Sequence, residues 1–532
     1  MHAAIFVGLL LGLDSFALTK TGELEPDKRH KVTLRISEKG QLAPARVTIR
    51  GQNGGFYAPK NTVVRTLTSG DQYFYTKGEC EVLLPETRST LVVSRGIETL
   101  TETLVLQPRR ETRIMVELTR WTNLSSDSWY SGDSHVHLHT GGDFEVGISD
   151  ALTAARAEDL NYTNLNVSNN LGDDIRDAEF ITGEPHALST DRHLLVFGEE
   201  MRSSIYGHML LFGINKLVEP QYTGFDDTPQ HYDYPPNFDQ ADETVKQGGV
   251  VSYGHPMFTD QPDPYVTDPL SHNGAALELP IDAIFDRAHA IDIMSYNSDE
   301  PLSAGLWYRL LNCGIRLSAC VGTDALLDQS TDPLGGDRVY VKIDGPLSNQ
   351  RWLDGLKKGR TFVTNGPMIN FQVQGLSIGE TISLNQPSSV HVKATIKSLV
   401  PFDSVHVIMN GKSVLTKEYT PSRDADRVTT HTIDVNLPLK KSSWIAIHAT
   451  GPEDPRVLDG RAWAHTSPVF IEVAGKPIRH ADDAAYFVTW IDKLLNIVAT
   501  RNRYPTPADR ERVETLFRKA QDLFRERQQN AD

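Results

Sequence analysis

Apolar and polar residues alternate with a period of two in both flanks of the chain, which is typical of half-buried β-strands. In residues 19–120, runs such as Lys31-Val32-Thr33-Leu34-Arg35-Ile36 are separated by glycine-bearing turns. The same alternation returns in residues 371–475, where Asn410-Gly411 is a typical hairpin turn. We therefore expect a small β-sandwich in each flank, a kind of domain common among accessory and carbohydrate-facing modules.

The pattern changes in residues 121–370, where short apolar strands alternate with helical stretches. His193-Leu194-Leu195-Val196-Phe197 is one such strand, and Ile148 to Leu160 is one such helix. Alternation of this kind predicts an α/β layer or barrel. A stretch rich in Pro, Asp and Tyr, from Tyr222 to Asp268, predicts long loops over one face, where binding sites tend to lie.

The last segment, residues 476–532, is predicted to be helical. Thr506-Pro507 supplies an N-cap and a first helical position. One apolar face then follows at helical spacing, formed by Val513, Leu516, Phe517, Ala520, Leu523 and Phe524. The predicted fold class is therefore a multidomain α/β plus β protein, which suits a chain of 532 residues.

Net charge and cysteine content limit the classes of partner. The formal net charge is −16, whereas nucleic-acid binding depends on clustered Lys and Arg. We therefore expect a small-molecule or polymer-derived substrate and no nucleic acid. The three cysteines, Cys80, Cys313 and Cys320, form no disulfide framework. They are interpreted as buried thiols, with a Cys313–Cys320 bridge as the alternative.

The N-terminus predicts export. The apolar run from Ala3 to Leu13 is too short to span a bilayer but has the length of a signal-peptide core, and Ser15-Phe16-Ala17 offers small residues for cleavage. No Lys or Arg precedes the run, so a buried N-terminal strand is the alternative. We predict a signal peptide in residues 1–18, a secreted or periplasmic protein, and no membrane span once the peptide is removed.

Histidines are concentrated in the central region. Ten of the 18 histidines lie between His135 and His289. In the strand Gly132-Asp133-Ser134-His135-Val136-His137, the two histidines share one face because side chains alternate along a strand. They can chelate one cation there, and Asp133 is expected to orient a ring through its other nitrogen. Such a pair is a weak signal by itself, since an ordinary half-polar strand can contain it.

Further candidate ligands lie where other apolar strands begin or end. Glu199 and Glu200 follow one strand, His208 begins another, His255 follows a third, and Asp324 follows a fourth. Strand ends of parallel-strand folds meet at one edge, so these side chains are expected to form one cluster. A carboxylate in such a cluster can bridge two metal ions roughly 3.5–4 Å apart.

These segments, in this order, resemble the PHP (polymerase and histidinol phosphatase) superfamily and in particular its CehA/McbA-like branch. The similar segments are Gly132 to His137, Gly198-Glu199-Glu200, Gly207-His208-Met209, Gly254-His255-Pro256, Gly322-Thr323-Asp324 and Lys358 to Pro367. The resemblance covers Trp121 to Pro367. It implies a distorted (β/α)₇ barrel, flanked here by the two sandwiches, with metals at the strand carboxyl ends and hydrolysis of ester or phosphoester bonds.

The resemblance also implies a ligand set. His135 and His137 would bind one ion together with Asp324. Glu200 would bridge to a second ion, held by His208 and His255. Glu199 is the rival for the bridging position, but the spacing in the family favours Glu200.

Two departures from the family reduce the expected number of ions. Where the superfamily commonly has Asp-His, this chain has Asn166-Val167-Ser168-Asn169-Asn170, and where it often has Asp-x-His, this chain has Asp324-Ala325-Leu326. Both missing histidines belong to the third metal of three-metal members. We therefore predict two ions, with partial compensation by His139 as the alternative.

The predicted function is that of an exported hydrolase. Two divalent ions sharing Glu200 would activate a hydroxide for attack on an ester, carbamate, amide or phosphoester bond. The ligand types suit Zn²⁺, Mn²⁺ or Fe²⁺. Arg202 is the candidate for stabilising the oxyanion. The alternative is a non-catalytic extracellular protein that binds polysaccharide or a cell surface and carries a degenerate metal site.

Overall fold

The computed structural model describes residues 28–110, 112–168, 175–257, 276–422 and 427–531. The predicted signal peptide and part of the predicted loop region, residues 258–268, lie outside the described residues. Within the described ranges, no helix combines the length and the apolar character needed to cross a membrane.

The N-terminal region consists of two β-sheets. Its strands are β1 (Arg29–Glu38), β2 (Gln41–Leu42), β3 (Ala45–Gly51), β4 (Arg65–Thr66), β5 (Gln72–Thr76), β6 (Glu79–Pro85), β7 (Ser89–Ser94), β8 (Glu102–Leu106) and β9 (Thr112–Leu118). One sheet has the order β2-β1-β6 with β9 paired to β1, and the other has the order β4-β5-β3-β7-β8. Alternate residues of both sheets, such as Leu34 and Val47, form one buried core, as the period of two predicts.

The central region contains both strands and helices. Its strands are β10 (Trp129–His137), β11 (Tyr162–Val167), β12 (Leu194–Ser203), β13 (Gly207–Phe212), β14 (Tyr222–Thr223), β15 (Val250–Tyr253), β16 (Ala290–Met294), β17 (Ser318–Val321), β18 (Ala325–Leu326), β19 (Arg338–Lys342) and β20 (Thr361–Thr364). Its helices are α1 (Ile148–Ala157), α2 (Asn237–Lys246), α3 (Leu279–Ile284), α4 (Glu300–Asn312) and α5 (Asn349–Lys357).

Strand directions in this region place several strand ends along one edge. β10, β11 and β12 are parallel, and so are β15, β16 and β17. β13 runs antiparallel between β12 and β15, so the chain makes a hairpin from β12 to β13 without a helix between them. The ladders among the described residues do not close the sheet, so the (β/α)₇ barrel stays a prediction, whereas the mixed α/β plus β class describes the chain.

The C-terminal region contains two sheets, one of which is continuous with the central sheet. Their strands are β21 (Met368–Val373), β22 (Leu376–Ser377), β23 (Thr381–Leu384), β24 (Ser388–Ser398), β25 (Ser404–Met409), β26 (Lys412–Glu418), β27 (Thr429–Leu439), β28 (Ser443–Glu453), β29 (Arg461–Thr466) and β30 (Val469–Val473). One sheet has the order β22-β21-β24-β27, and the other strands extend the central sheet because β29 pairs antiparallel with β20. Hydrogen-bonded pairing therefore crosses the boundary predicted near residue 370.

Two long helices, α6 (Ala481–Arg501) and α7 (Pro507–Gln529), end the described chain. Thr506 caps α7 as predicted, since its side chain accepts a hydrogen bond from the Asp509 N–H. Phe487 and Phe517 are fully buried in the same hydrophobic core as the strands of the central region. The Trp490 indole N–H donates to the Leu277 carbonyl at 2.8 Å. The helical tail is thus packed on the α/β region.

Candidate metal centre

Six ionisable side chains, carried on or just after five different strands, converge at one edge of the central sheet. They are His135, His137, Glu200, His208, His255 and Asp324. The first five are buried, with at most 9% of their surface exposed. The side chain of Asp324 is 23% exposed and opens the group to solvent. The structure therefore brings together every residue that the resemblance implied as a ligand.

One part of the cluster has the spacing of a tetrahedral site. The Nε2 atoms of His135 and His137 lie 3.0 Å apart, and each lies 3.2–3.3 Å from Asp324 Oδ1. The Glu200 carboxylate lies 3.6 Å from His135 Nε2 and 3.5 Å from His137 Nε2. A tetrahedral ion with ligands at about 2.0–2.1 Å separates them by about 3.3–3.4 Å. These donors fit a small divalent cation.

The second part of the cluster shares Glu200. Its Oε1 atom lies 2.8 Å from His208 Nδ1 and 3.6 Å from His255 Nε2. These three groups place one ligand atom each within 4.8 Å of one another. Glu200 is therefore the only side chain of the six that contacts all four histidines within 4 Å, among the described ion pairs.

The β12–β13 hairpin explains how Glu200 meets His208. In its register Arg202 lies opposite His208, and Glu200 lies opposite Leu210. Glu200 and His208 are therefore diagonal neighbours on one face, within reach of each other's side chains. The hairpin thus brings two candidate ligands side by side without an intervening helix.

Backbone geometry at the other strand ends is unusual. His255 has φ 28° and Asp324 has φ 59°, both in the left-handed region that non-glycine residues rarely adopt. Such conformations occur at functional sites, where the surrounding structure holds them in place. At Gly322, an added Cβ would lie 2.2 Å from the His135 Cβ, so only glycine allows β17 to pass this close to β10.

Buried hydrogen bonds hold the two histidines of β10. The His137 ring, through Nδ1, lies 3.0 Å from the Asn166 carbonyl. Asp133 accepts hydrogen bonds from the backbone N–H groups of His135 and Gly335 and from both the N–H and the hydroxyl of Thr323. The prediction that Asp133 orients an imidazole ring is therefore wrong. Its carboxylate instead fastens the Thr323 loop to β10, because four backbone and hydroxyl donors occupy it.

The charges within the cluster stabilise one another. Burial disfavours the imidazolium of His135, but Asp324 and Glu200 outweigh it and raise the pKa to about 9. Burial opposes ionisation of Asp324 as well, yet His135 and His137 lower its pKa to about 2. For Glu200, the neighbouring histidines overcome burial and lower the pKa well below its usual value. Both carboxylates are therefore ionised at neutral pH.

Several other candidates from the sequence lie outside the cluster. Glu199 points away from it and accepts a hydrogen bond from the Val218 N–H at 2.7 Å. His139 Nδ1 lies 2.9 Å from Asp177, and its Nε2 lies 2.9 Å from the Val146 carbonyl. Glu199 is thereby excluded as the bridge, and His139 as a replacement ligand in this conformation.

Arg202 lies beside the cluster and not within it. It is two residues beyond Glu200 on β12, so its side chain emerges on the same face. Its charge contributes to lowering the pKa of His208, after the larger effect of burial.

All three cysteines are free, so the alternative of a Cys313–Cys320 bridge is wrong.

Sequence reasoning missed two residues near the ligands. Asp292 is fully buried and accepts a hydrogen bond from the Ser252 hydroxyl at 2.9 Å. Burial raises its pKa to about 7, although His135 and Ser252 act against this. Asn297 donates to Asp324 Oδ2 at 3.0 Å. The signal for Asp292 was present, because it is the one charged residue of the apolar strand Ala290-Ile291-Asp292-Ile293-Met294.

Comparison with known proteins gives only remote similarities. No protein-family model and no curated protein matches the chain. The crystal structure of PsfC from Pseudomonas syringae PB-5123 is similar over 42% of this chain and 88% of that chain, at 14% identity and a TM-score of 0.27. A structure of Endonuclease Q in complex with a 27-mer duplex substrate is similar over 42% of this chain, at 10% identity and a TM-score of 0.27.

A structure of the lesion-specific endonuclease PfuEndoQ from Pyrococcus furiosus is similar over 43% of this chain, at 10% identity and a TM-score of 0.24. The matches span 55% and 56% of the two endonuclease chains, about half their length. At these TM-scores the likeness is confined to a partial arrangement of strands and helices, and no activity is inferred from it.

The expectation of a small-molecule or polymer-derived substrate without nucleic acid is nevertheless contradicted. Two of these neighbours are endonucleases, and one is bound to duplex DNA with an abasic lesion at its active site. Net charge was the reason for excluding nucleic acid, but the charge of a whole chain does not report the charge beside its site. The substrate class is therefore open.

The close approach at Gly322 yields a stability prediction. In Gly322→Ala the new Cβ would lie 2.2 Å from the His135 Cβ and 2.6 Å from Asp292 Oδ2, so the free energy of unfolding should fall by about 1–3 kcal/mol. Gly305→Ala is the matched control, because Gly305 lies within α4 with nothing within 4 Å of its Cβ position. Its unfolding free energy should rise by up to about 1 kcal/mol. Urea unfolding of both variants measures this, and equal effects would contradict the packing argument.

A pH dependence follows from His135. Its pKa in the metal-free protein is raised from 6.5 to about 9, so its protonated form stabilises the fold. This contribution is complete below pH 6.5 and is lost as the pH rises through 9. The unfolding free energy of the chelator-treated wild type, minus that of His135→Gln, should therefore decline between pH 6.5 and 9. A difference that stays constant over this range would show that the His135 charge is not stabilised by its neighbours.

Proposed function

We propose that this chain is a divalent-metal-dependent hydrolase of the PHP superfamily, in its CehA/McbA-like branch, acting on ester or phosphoester bonds. The observation that carries the proposal is the convergence of four histidines and two carboxylates at the spacing of metal ligands. Zn²⁺, Mn²⁺ and Fe²⁺ all suit this donor set. Export through residues 1–18 is part of the same proposal.

Two ions fit the cluster better than three. His135, His137 and Asp324 would hold the first ion, and His208 and His255 the second, with Glu200 shared between them. A third ion would need the histidines that this chain lacks. His139, the remaining candidate, is engaged by Asp177 and by the Val146 carbonyl.

The proposal gives Glu200, Arg202 and Asp324 separate roles around the metal centre. Bound divalent ions lower the pKa of water and polarise the bond under attack. Glu200 remains ionised because the surrounding imidazoles stabilise its charge, so it can serve both ion positions. Arg202, on the same face of β12, would bind negative charge that develops on the substrate. The exposed edge of Asp324 marks the side from which substrate approaches.

The competing proposal, a non-catalytic binding protein with a degenerate site, is less well supported. A degenerate site would be expected to lose the spacing of its ligands or their supporting hydrogen bonds. Here the spacing is kept, and Asp133 and Asn166 still hold the β10 histidines through buried hydrogen bonds. Strained backbone at His255 and Asp324 is also retained, which an unused site has no reason to keep.

Metal content and turnover of one variant pair test the proposal. The purified wild type should bind two transition-metal ions per chain and hydrolyse at least one member of a panel of aryl esters, aryl phosphodiesters and lesion-containing DNA. His135→Ala should lose one ion and at least about 100-fold in kcat/KM, because the first ion would lose one of its four proposed ligands. Elemental analysis and steady-state kinetics measure both.

His139→Ala is the matched control, since this histidine lies on the same chain segment but outside the cluster. It should keep both ions and its turnover within a few-fold of wild type. Wild-type protein without bound metal after expression in supplemented medium would refute the hydrolase proposal. An ion lost in His139→Ala would refute the two-ion assignment.

A further inference from the structure

The two histidines proposed for the second ion position each end a Tyr-Gly-His tripeptide. One occurs in Tyr206-Gly207-His208 and the other in Tyr253-Gly254-His255. Both tyrosines are fully buried, and their hydroxyls contact Tyr504 and Asp282, neither of which belongs to the ligand cluster. Each tyrosine lies two residues before a ligand, so whatever holds the tyrosine also holds the backbone that carries the histidine.

Asn237, at the start of α2, links the two tripeptides. Its side-chain amide donates to the Gly207 carbonyl at 3.0 Å and to the Tyr253 hydroxyl at 3.3 Å. The Tyr253 hydroxyl in turn donates to Asp282 at 2.7 Å. The backbone N–H of Asn237 donates to Glu278 at 2.9 Å, and the Glu278 N–H donates to the Tyr206 carbonyl at 3.0 Å. One buried network therefore fixes both backbones.

The helical tail completes this network. Tyr504, between α6 and α7, places its hydroxyl 2.7 Å from the Tyr206 hydroxyl. Tyr504 is itself buried, with 8% of its surface exposed. The Phe517 ring of α7 packs edge-on against the Tyr206 ring at 5.8 Å between centroids. The Tyr206 hydroxyl also donates to the Asp233 carbonyl at 3.3 Å, so the tail holds the ring of Tyr206 and shares its hydroxyl with Asp233.

The tail is also fastened to the loop that precedes α2. Arg501 donates to both oxygens of the fully buried Asp233 carboxylate, at 2.8 and 3.0 Å. The Asp233 N–H donates back to the Arg503 carbonyl at 2.8 Å. Paired, charge-assisted bonds of this kind have defined geometry. Tyr504 therefore has a fixed position relative to the central region.

We propose that Tyr504 is a positioning residue for the second ion: through Tyr206 it fixes the backbone of His208, so the C-terminal helical tail is part of the metal site. This inference rests on the proposed function. Metal ligands need to be held within about 0.5 Å of their working positions, and loss of an outer partner typically weakens metal affinity 10- to 100-fold. The first ion is held by β10 and the Thr323 loop, which Asp133 fastens together.

Tyr504→Phe is the test, because it removes one hydroxyl and keeps the buried ring. Titration of metal-free protein with Co²⁺, followed by visible absorption, should resolve two binding events in the wild type. In Tyr504→Phe one of the two events should shift to at least about tenfold higher Co²⁺ concentration, while the other stays within twofold. Tyr206→Phe, which also loses the bond to the Asp233 carbonyl, should shift the same event at least as far, and the double variant should be no worse than Tyr206→Phe alone.

Tyr486→Phe is the matched control, since Tyr486 is a buried tyrosine of α6 that lies outside this network. Its two Co²⁺ affinities should equal those of the wild type. Unchanged affinities in Tyr504→Phe, or equal weakening of both events, would overturn the inference while leaving the hydrolase proposal intact. A wild type that binds no Co²⁺ would overturn the hydrolase proposal itself.

Discussion

The shared carboxylate of Glu200 is the interaction on which the rest of the centre depends. It is buried, and it lies within 4 Å of a nitrogen atom of each of the four histidines. An ionised carboxylate costs several kcal/mol to bury unless opposite charge surrounds it. Removing Glu200 would leave His135 without one of the two carboxylates that raise its pKa. The cluster is therefore a mutually compensated set of charges, whose members stabilise one another only when all are in place.

The fold brings the six side chains of the cluster together because several strands end at one edge of the sheet. Two local backbone features also contribute. The first is the β12–β13 hairpin, which brings His208 diagonally opposite Glu200 without a crossover helix. The second is the left-handed backbone at His255 and Asp324, which turns each side chain back toward β10. Glycine at position 322 lets β17 approach β10 closely enough for Asp324 to reach the first ion position. Strain and close packing are thus concentrated where the ligands are.

The sequence predicted the ligands better than the architecture that holds them. Period-two alternation on β10 placed His135 and His137 on one face, and family spacing chose Glu200, which lies in the cluster, over Glu199, which does not. The hairpin was not predictable, since an apolar strand followed by a short polar segment looks alike before a hairpin and before a crossover. The continuity of β20 with β29 was also missed, because pairing between residues about 100 positions apart leaves no local pattern. Asp133 was assigned the wrong partner, since spacing alone cannot tell a ring nitrogen from a backbone N–H.

The helical tail shows why local sequence patterns do not predict the contacts that surround the site. Its apolar face predicted that α7 packs on something, and Phe517 does pack on the central region. Its polar residues gave no such signal, yet Arg501 and Tyr504 contact Asp233 and Tyr206, close to 300 positions earlier in the chain. A hydroxyl and a guanidinium can bond many partners, so their sequence neighbours do not reveal which one they meet. Under the proposed assignment, the second ion position would depend on a segment outside residues 121–367. A chain cut at residue 475 would lose the contacts of Tyr206 with Tyr504 and Phe517, while its bonds to Asp233 and Glu278 would remain.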